Sequence, residues 1–244
     1  MNKEDDQLTK CILERYRRDR CASCTNLCQH YIALHGLDGK SGRLGNAGLP
    51  ADYRGITLEN SPAREGQPKI YEVLERYVDT FGKGEEKSLY LWSESPGTGK
   101  TTTASALISE WIAKDYLGAL KRGKQPRQFS AMFLDINELQ TQYNLATMTN
   151  DDDAMKRIGA KIKRTKDAPF AVIDDVGTRS STEAFTSYVH AIINHRTSNA
   201  MPTVFTSNLP IEEMADVFTQ RLYDRIRDQC GVIHFAGTSK RGRR

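Results

Sequence analysis

The sequence predicts an α/β fold in which a parallel sheet carries helices on both faces. Three observations predict it. Short apolar runs at Leu89–Trp92, Ala131–Leu134, Phe170–Ile173 and Thr203–Thr206 alternate with longer stretches whose apolar residues recur at helical spacing. A turn built from glycine and other small residues joins the first run to the helix after it. The third run is apolar at every position, as a strand covered on both faces must be, and it ends in two carboxylates, Asp174 and Asp175.

Composition narrows the class. Of 244 residues, 38% are hydrophobic and 27% charged, with a formal net charge of +4, the profile of a globular protein in water. No apolar run is long enough to span a membrane, and Met1–Asp6 leads into no apolar core. Membrane-spanning and secreted classes are therefore not expected, and a reducing, cytoplasmic setting is. The expected organisation is a small cysteine-rich module over 1–36, a linker over 37–67, an α/β domain over 68–239 and a basic tail over 240–244.

Leu8 to Arg20 reads as a basic helix. Cys11, Cys21, Cys24 and Cys28 follow the spacing C-x9-C-x2-C-x3-C. A C-x2-C knuckle can point two thiolates at one ion, so a tetrahedral zinc site is expected, with an iron–sulfur cluster or unligated cysteines as alternatives. His30 or His35 could take the place of Cys11. A segment this short has little core of its own, and a metal would supply the folding energy. Residues 37–68 are rich in glycine, proline and polar residues and read as a linker that wraps or tethers rather than packs. Ile70, Val73, Leu74, Tyr77, Val78 and Phe81 then form a helical stripe that needs a core to pack on.

Ser93-Glu94-Ser95-Pro96-Gly97-Thr98-Gly99-Lys100-Thr101 has the character of a phosphate loop. Its glycines let backbone N–H groups turn inward, and the following helix presents its positive end to the same point. Lys100 would reach the β- and γ-phosphates and the Thr101 hydroxyl would hold magnesium. Glu94 stands where the first glycine of this motif usually lies, so its side chain should point to solvent. Asp174 falls at the C-terminal end of its strand, where open α/β sheets bind ligands, and would hold the magnesium. Asp175 would orient the attacking water. Asn208, after the Thr203–Thr206 strand, is either a contact to the γ-phosphate or a helix cap. Between these, Lys121–Arg127 is a basic loop, Asp135 and Asn150–Asp153 open two helices, and the second of these carries Lys161, Lys163 and Arg164, either a solvated face or a contact to DNA. Thr182–Ser198 reads as a helix, Arg221–Arg227 as an arginine-bearing helix and Val232–Phe235 as a closing strand.

From Leu89 to Phe235 the chain resembles AAA+ ATPases, and within them the bacterial and phage DnaC/DnaI-type helicase loaders. The matching pieces are Pro96–Thr101, Met132–Leu134, Ile173–Gly177, Thr206–Leu209 and Arg221–Ile226. The resemblance implies an AAA+ sheet without a separate lid domain. It also implies that Pro96, Gly97, Thr98, Gly99, Lys100, Thr101 and Thr102 bind ATP, that Asp174 and Asp175 are the magnesium and water-orienting pair, and that Asn208 is a sensor. Arg225 matches an arginine finger given in trans, with Arg221 assisting. The implied partners are a replicative hexameric DNA helicase, gripped by the cysteine segment, single-stranded DNA, and further copies of the chain. An IstB-like transposition helper and an ATP-gated adaptor with little turnover share the same motifs.

Overall fold

A computed structural model describes residues 11–17, 21, 25–177 and 182–237. Its centre is a five-stranded sheet: β1 (Ser88–Trp92), β2 (Ala131–Asp135), β3 (Phe170–Asp174), β4 (Thr203–Ser207) and β5 (Cys230–His234). The strand order is β2-β3-β4-β1-β5, and every neighbouring pair is parallel. The strands therefore end together at one edge, where Trp92, Asp174 and Ser207 lie side by side or nearly so.

Alternation along each strand sorts the core into two layers. Leu89, Leu91, Phe133, Phe170, Val172 and Val204 join the cluster on one face. Tyr90, Leu134, Ile173 and Phe205 join the cluster on the other. The first layer holds α3 (Pro68–Val78) and α4 (Lys100–Lys121), together with the shorter α1 (Gln29–His35) and α2 (Gly42–Asn46). The second holds α5 (Ile136–Thr149), α6 (Asp152–Asp167), α7 (Glu183–Ser198), α8 (Met214–Val217) and α9 (Gln220–Gln229). Asp135, Asp151 and Thr182 cap α5, α6 and α7 by accepting N–H bonds from Glu138, Ala154 and Phe185.

Two expectations for the N-terminal quarter fail. Residues 37–67 do not merely tether: Leu44, Leu49, Leu58 and Ala63 are buried in the same core as the phosphate-loop helix. Ala47 also accepts a bond from the Phe133 N–H at 2.7 Å, so this segment covers the outer edge of β2. The zinc centre is not supported. Cys24 lies outside the described residues, and among those described no group of three or more His, Cys, Asp or Glu side chains could hold a metal, so Cys11, Cys21 and Cys28 do not converge.

Among the described residues, packing holds this segment to the core. Ile12 and Leu13 are buried in the core and Cys11 packs against it. Arg15 donates to Glu110 on α4 at 2.8 Å and pairs with Glu75 on α3, while the Tyr16 hydroxyl also donates to Glu110. The basic helix expected over Leu8–Arg20 is, where described, a single 3-10 turn at Glu14–Tyr16, and residues 8–10 and 18–20 lie outside the described residues.

Candidate active site

The loop between β1 and α4 is shaped by two glycines in the left-handed region, Gly97 at φ 76° and Gly99 at φ 100°. A Cβ on Gly99 would stand 2.5 Å from the Cβ of Ala63, so the loop is pressed against the segment that precedes α3. Beside it opens a cavity of about 460 Å³, within the size range of small-molecule sites. Pro96, Gly97, Thr98, Gly99, Lys100, Thr101 and Thr102 line one side, Asp175 and Asn208 a second. Asp52, Tyr53, Ile56, Pro62 and Ala63 form the third, a wall that the glycine-rich composition of 37–67 did not announce.

The charged groups meet at the sheet edge. Lys100 is buried and donates from Nζ to Asn208 Oδ1 at 2.9 Å and to the Ser95 carbonyl at 3.3 Å. Thr101 Oγ1 donates to Asp174 at 3.1 Å, which joins the first turn of α4 to the end of β3. Asp174 is 3% exposed, and burial pushes its carboxyl up to about 7 despite the hydroxyl bonds it accepts. Thr206 on β4 ties the two acids together: its hydroxyl donates to Asp174 Oδ1 at 2.5 Å and accepts the Asp175 N–H at 2.9 Å. Asp175 sits at φ 58°, a left-handed conformation that Asp tolerates better than most residues, and its Oδ2 accepts from Asn137 at 3.2 Å. Neither Thr206 nor Asn137 stood out in the sequence as a site residue, because their roles depend on strand register and on the position of α5.

These residues fit a nucleotide with magnesium. Thr98 Oγ1 is buried without a hydrogen-bond partner next to the cavity, and a buried carboxylate beside a hydroxyl is an oxygen donor set suited to a hard divalent cation. Glu94 is exposed, as expected, and its carboxylate meets His234 Nε2 at 3.0 Å. Arg225 does not line the cavity. It lies on α9 and donates to Asn194 and to Ser198 Oγ, both on α7. Arg221 is exposed on the same helix.

The strand order, the loop entering α4 and the acids ending β3 define an AAA+ fold. Within that class the chain is similar in sequence to DnaC/DnaI-type replicative helicase loaders. It is 25% identical to the replicative helicase loader DnaC of Escherichia coli over 182 residues, covering 74% of this chain and 66% of the relative. It is 26% identical to the replicative helicase loader DnaI of Bacillus subtilis over 208 residues, covering 79% of this chain and 59% of the relative. The chain thus spans just under two thirds of these relatives. The crystal structure of the DnaC helicase loader superposes with a TM-score of 0.56 at 20% identity, over 77% of this chain and all of that one. No protein-family model matches the chain.

Proposed function

We propose that this chain binds and hydrolyses ATP and uses the cycle to deliver a replicative hexameric helicase to single-stranded DNA in the cytoplasm. The observation that carries the reading is the Thr101–Asp174 contact at 3.1 Å. It joins the phosphate loop to the acidic strand at one cavity, with Lys100 beside it. Backbone N–H groups from Gly97 to Thr101 and the Lys100 ammonium hold the triphosphate. Thr101 and Asp174 would hold magnesium, which would supply neutralisation of the charge developing on the phosphates. Asp175 orients the attacking water, and Asn208, now bonded to Lys100, senses the γ-phosphate. Tyr53, Ile56, Pro62 and Ala63 offer an apolar wall for the base.

Arg225, remote from its own cavity, completes the site of a neighbouring copy. Hydrolysis is thereby made to depend on assembly, and the assembled copies hold single-stranded DNA on basic surfaces. The N-terminal segment makes the helicase contact by its packed surface. That the similar proteins are named helicase loaders favours loading over help in transposition. A second reading, a switch that binds ATP with little turnover, is favoured by Asp175, whose short carboxylate is bonded to Asn137.

Co-purification with a hexameric helicase, with and without ATP, and single-turnover hydrolysis with and without single-stranded DNA test the proposal together. ATP-dependent capture of the helicase and DNA-stimulated turnover are expected. ATP binding with no turnover under any condition would leave the switch, and absence of ATP binding would end both readings.

A further inference from the structure

The edge of the sheet opposite the cavity carries a feature that nucleotide chemistry does not use. Nine residues from Lys121 to Phe129 connect α4 to the approach of β2 and hold four cations, Lys121, Arg122, Lys124 and Arg127, and no acid. All four are exposed. The loop ends on Phe129, 55% exposed, and the Arg164 guanidinium from α6 stacks 4.3 Å from the centre of that ring.

The loop is held in shape. Arg43, buried, donates to the carbonyls of Arg127 at 2.7 Å and Pro126 at 3.1 Å, and Lys124 N–H is bonded to the Ala119 carbonyl at 2.9 Å. Arg164 is fixed in turn by a 2.7 Å bond to the Asn46 carbonyl. Asp115 is 3.9 Å from Arg127, and no other carboxylate is within ion-pair distance of these cations among the described residues. Lys161 on α6, by contrast, faces Glu138 at 4.0 Å, and Lys156 and Arg157 pair with Asp153 and Asp151.

We propose that the Lys121–Arg127 loop with Phe129 and Arg164 is the surface on which this chain binds single-stranded nucleic acid. Cations spaced along an extended loop suit successive phosphates. A planar platform of ring and guanidinium suits an unpaired base, whose face a duplex would bury. The inference rests on the proposed handling of single-stranded DNA and assigns it to a place. Five-residue strands rising about 3.3 Å per residue put roughly 16 Å between this edge and the phosphate loop, so these residues are separate from the nucleotide cavity.

Anisotropy of a labelled oligothymidine, measured over a range of salt with the full chain, tests the site. Arg122→Ala with Lys124→Ala is expected to weaken binding about tenfold near 0.1 M salt and to lower the salt slope by about 1.4, two phosphate contacts at roughly 0.7 each. Phe129→Ala is expected to weaken binding about tenfold at every salt concentration and leave the slope unchanged. Both should keep the wild-type melting temperature and ATP affinity. Lys124→Glu serves as a second charge variant should the double variant misfold. Wild-type binding that none of these changes reduces would overturn the placement while leaving the proposed function intact. Equal affinity for a duplex, with Phe129→Ala without effect, would also overturn it, since the loop would then be an indifferent electrostatic surface. No binding by the wild type would remove the DNA element of the proposed function as well.

Discussion

At the scale of single residues, Asp174 sets a conflict between stability and function. Its carboxyl titrates near 7 in the fold against 3.8 in an exposed chain. Between those values the folded state keeps a proton that the unfolded state has lost, so stability falls as pH rises from about 4 to 7, and the penalty is complete above that. Asp174→Asn removes the buried charge. In the nucleotide-free protein at pH 8 the variant should be about 2 kcal/mol more stable, a rise of several degrees in Tm, while magnesium-dependent ATP hydrolysis is lost. A Tm below wild type in the same thermal scan would refute this. His35 has the opposite sign. It is buried, stacks on Tyr31 at 4.5 Å and accepts the Ile12 N–H at 3.3 Å, and burial brings it down to about 4. Between pH 6.5 and about 4 the unfolded chain takes up a proton that the folded one refuses, so stability falls on acidification. His35→Gln keeps an acceptor without the charge. Circular dichroism melts at pH 7 and pH 5 should show the wild type losing about 2 kcal/mol more than the variant.

At the scale of elements, α4 carries both the phosphate loop at its start and Glu110 within it, and through Glu110 it holds the N-terminal quarter. The Glu110 side chain is fully buried and accepts from Arg15, from Tyr16 and from the Leu58 N–H at 3.0 Å. Arg64 adds a bond to the Leu58 carbonyl at 3.0 Å and a pair with Glu75 at 2.9 Å. Arg15→Ala leaves a buried carboxylate short of its cation, a change that costs about 3 kcal/mol in comparable settings. Thermal melts should show the loss, and ATP affinity should fall with it, since Leu58 anchors the stretch that forms the cavity wall. Unchanged affinity in a folded variant would separate the two. Much at this scale was readable beforehand. The phosphate loop, its helix and the capped starts of α5, α6 and α7 are local patterns. The packing of 37–67 was not, because glycine and proline describe how a chain turns and say nothing of what it meets. Cysteine spacing is likewise a one-dimensional signal, and among the described residues it is Ile12, Leu13 and Arg15, long-range partners of α3 and α4, that hold the segment.

For the whole molecule, the role proposed for Arg225 would make hydrolysis depend on a neighbouring copy. The guanidinium rests on α7 and not in the cavity of its own chain. Lys100→Ala and Arg225→Ala should each lose hydrolysis alone, the latter by about a thousandfold with ATP binding retained. Mixed in equal amounts they should recover part of the activity, one supplying an intact cavity and the other the arginine. A mixture as inactive as its components would sink the shared site. A parallel sheet with helices on both faces was legible from four apolar runs; its strand order and the meeting of Lys100 with Asn208 were not. The bridge through Thr206 was not, since it exists only in the register that sets β4 beside β3. The contact between Gly99 and Ala63 has a practical corollary for anyone recombining such proteins. A graft of residues 37–67 onto a foreign catalytic half must arrive with nothing bulkier than a methyl group at 63 and meet a bare glycine at 99, so the two stretches behave as a matched key and ward, exchangeable only as a pair.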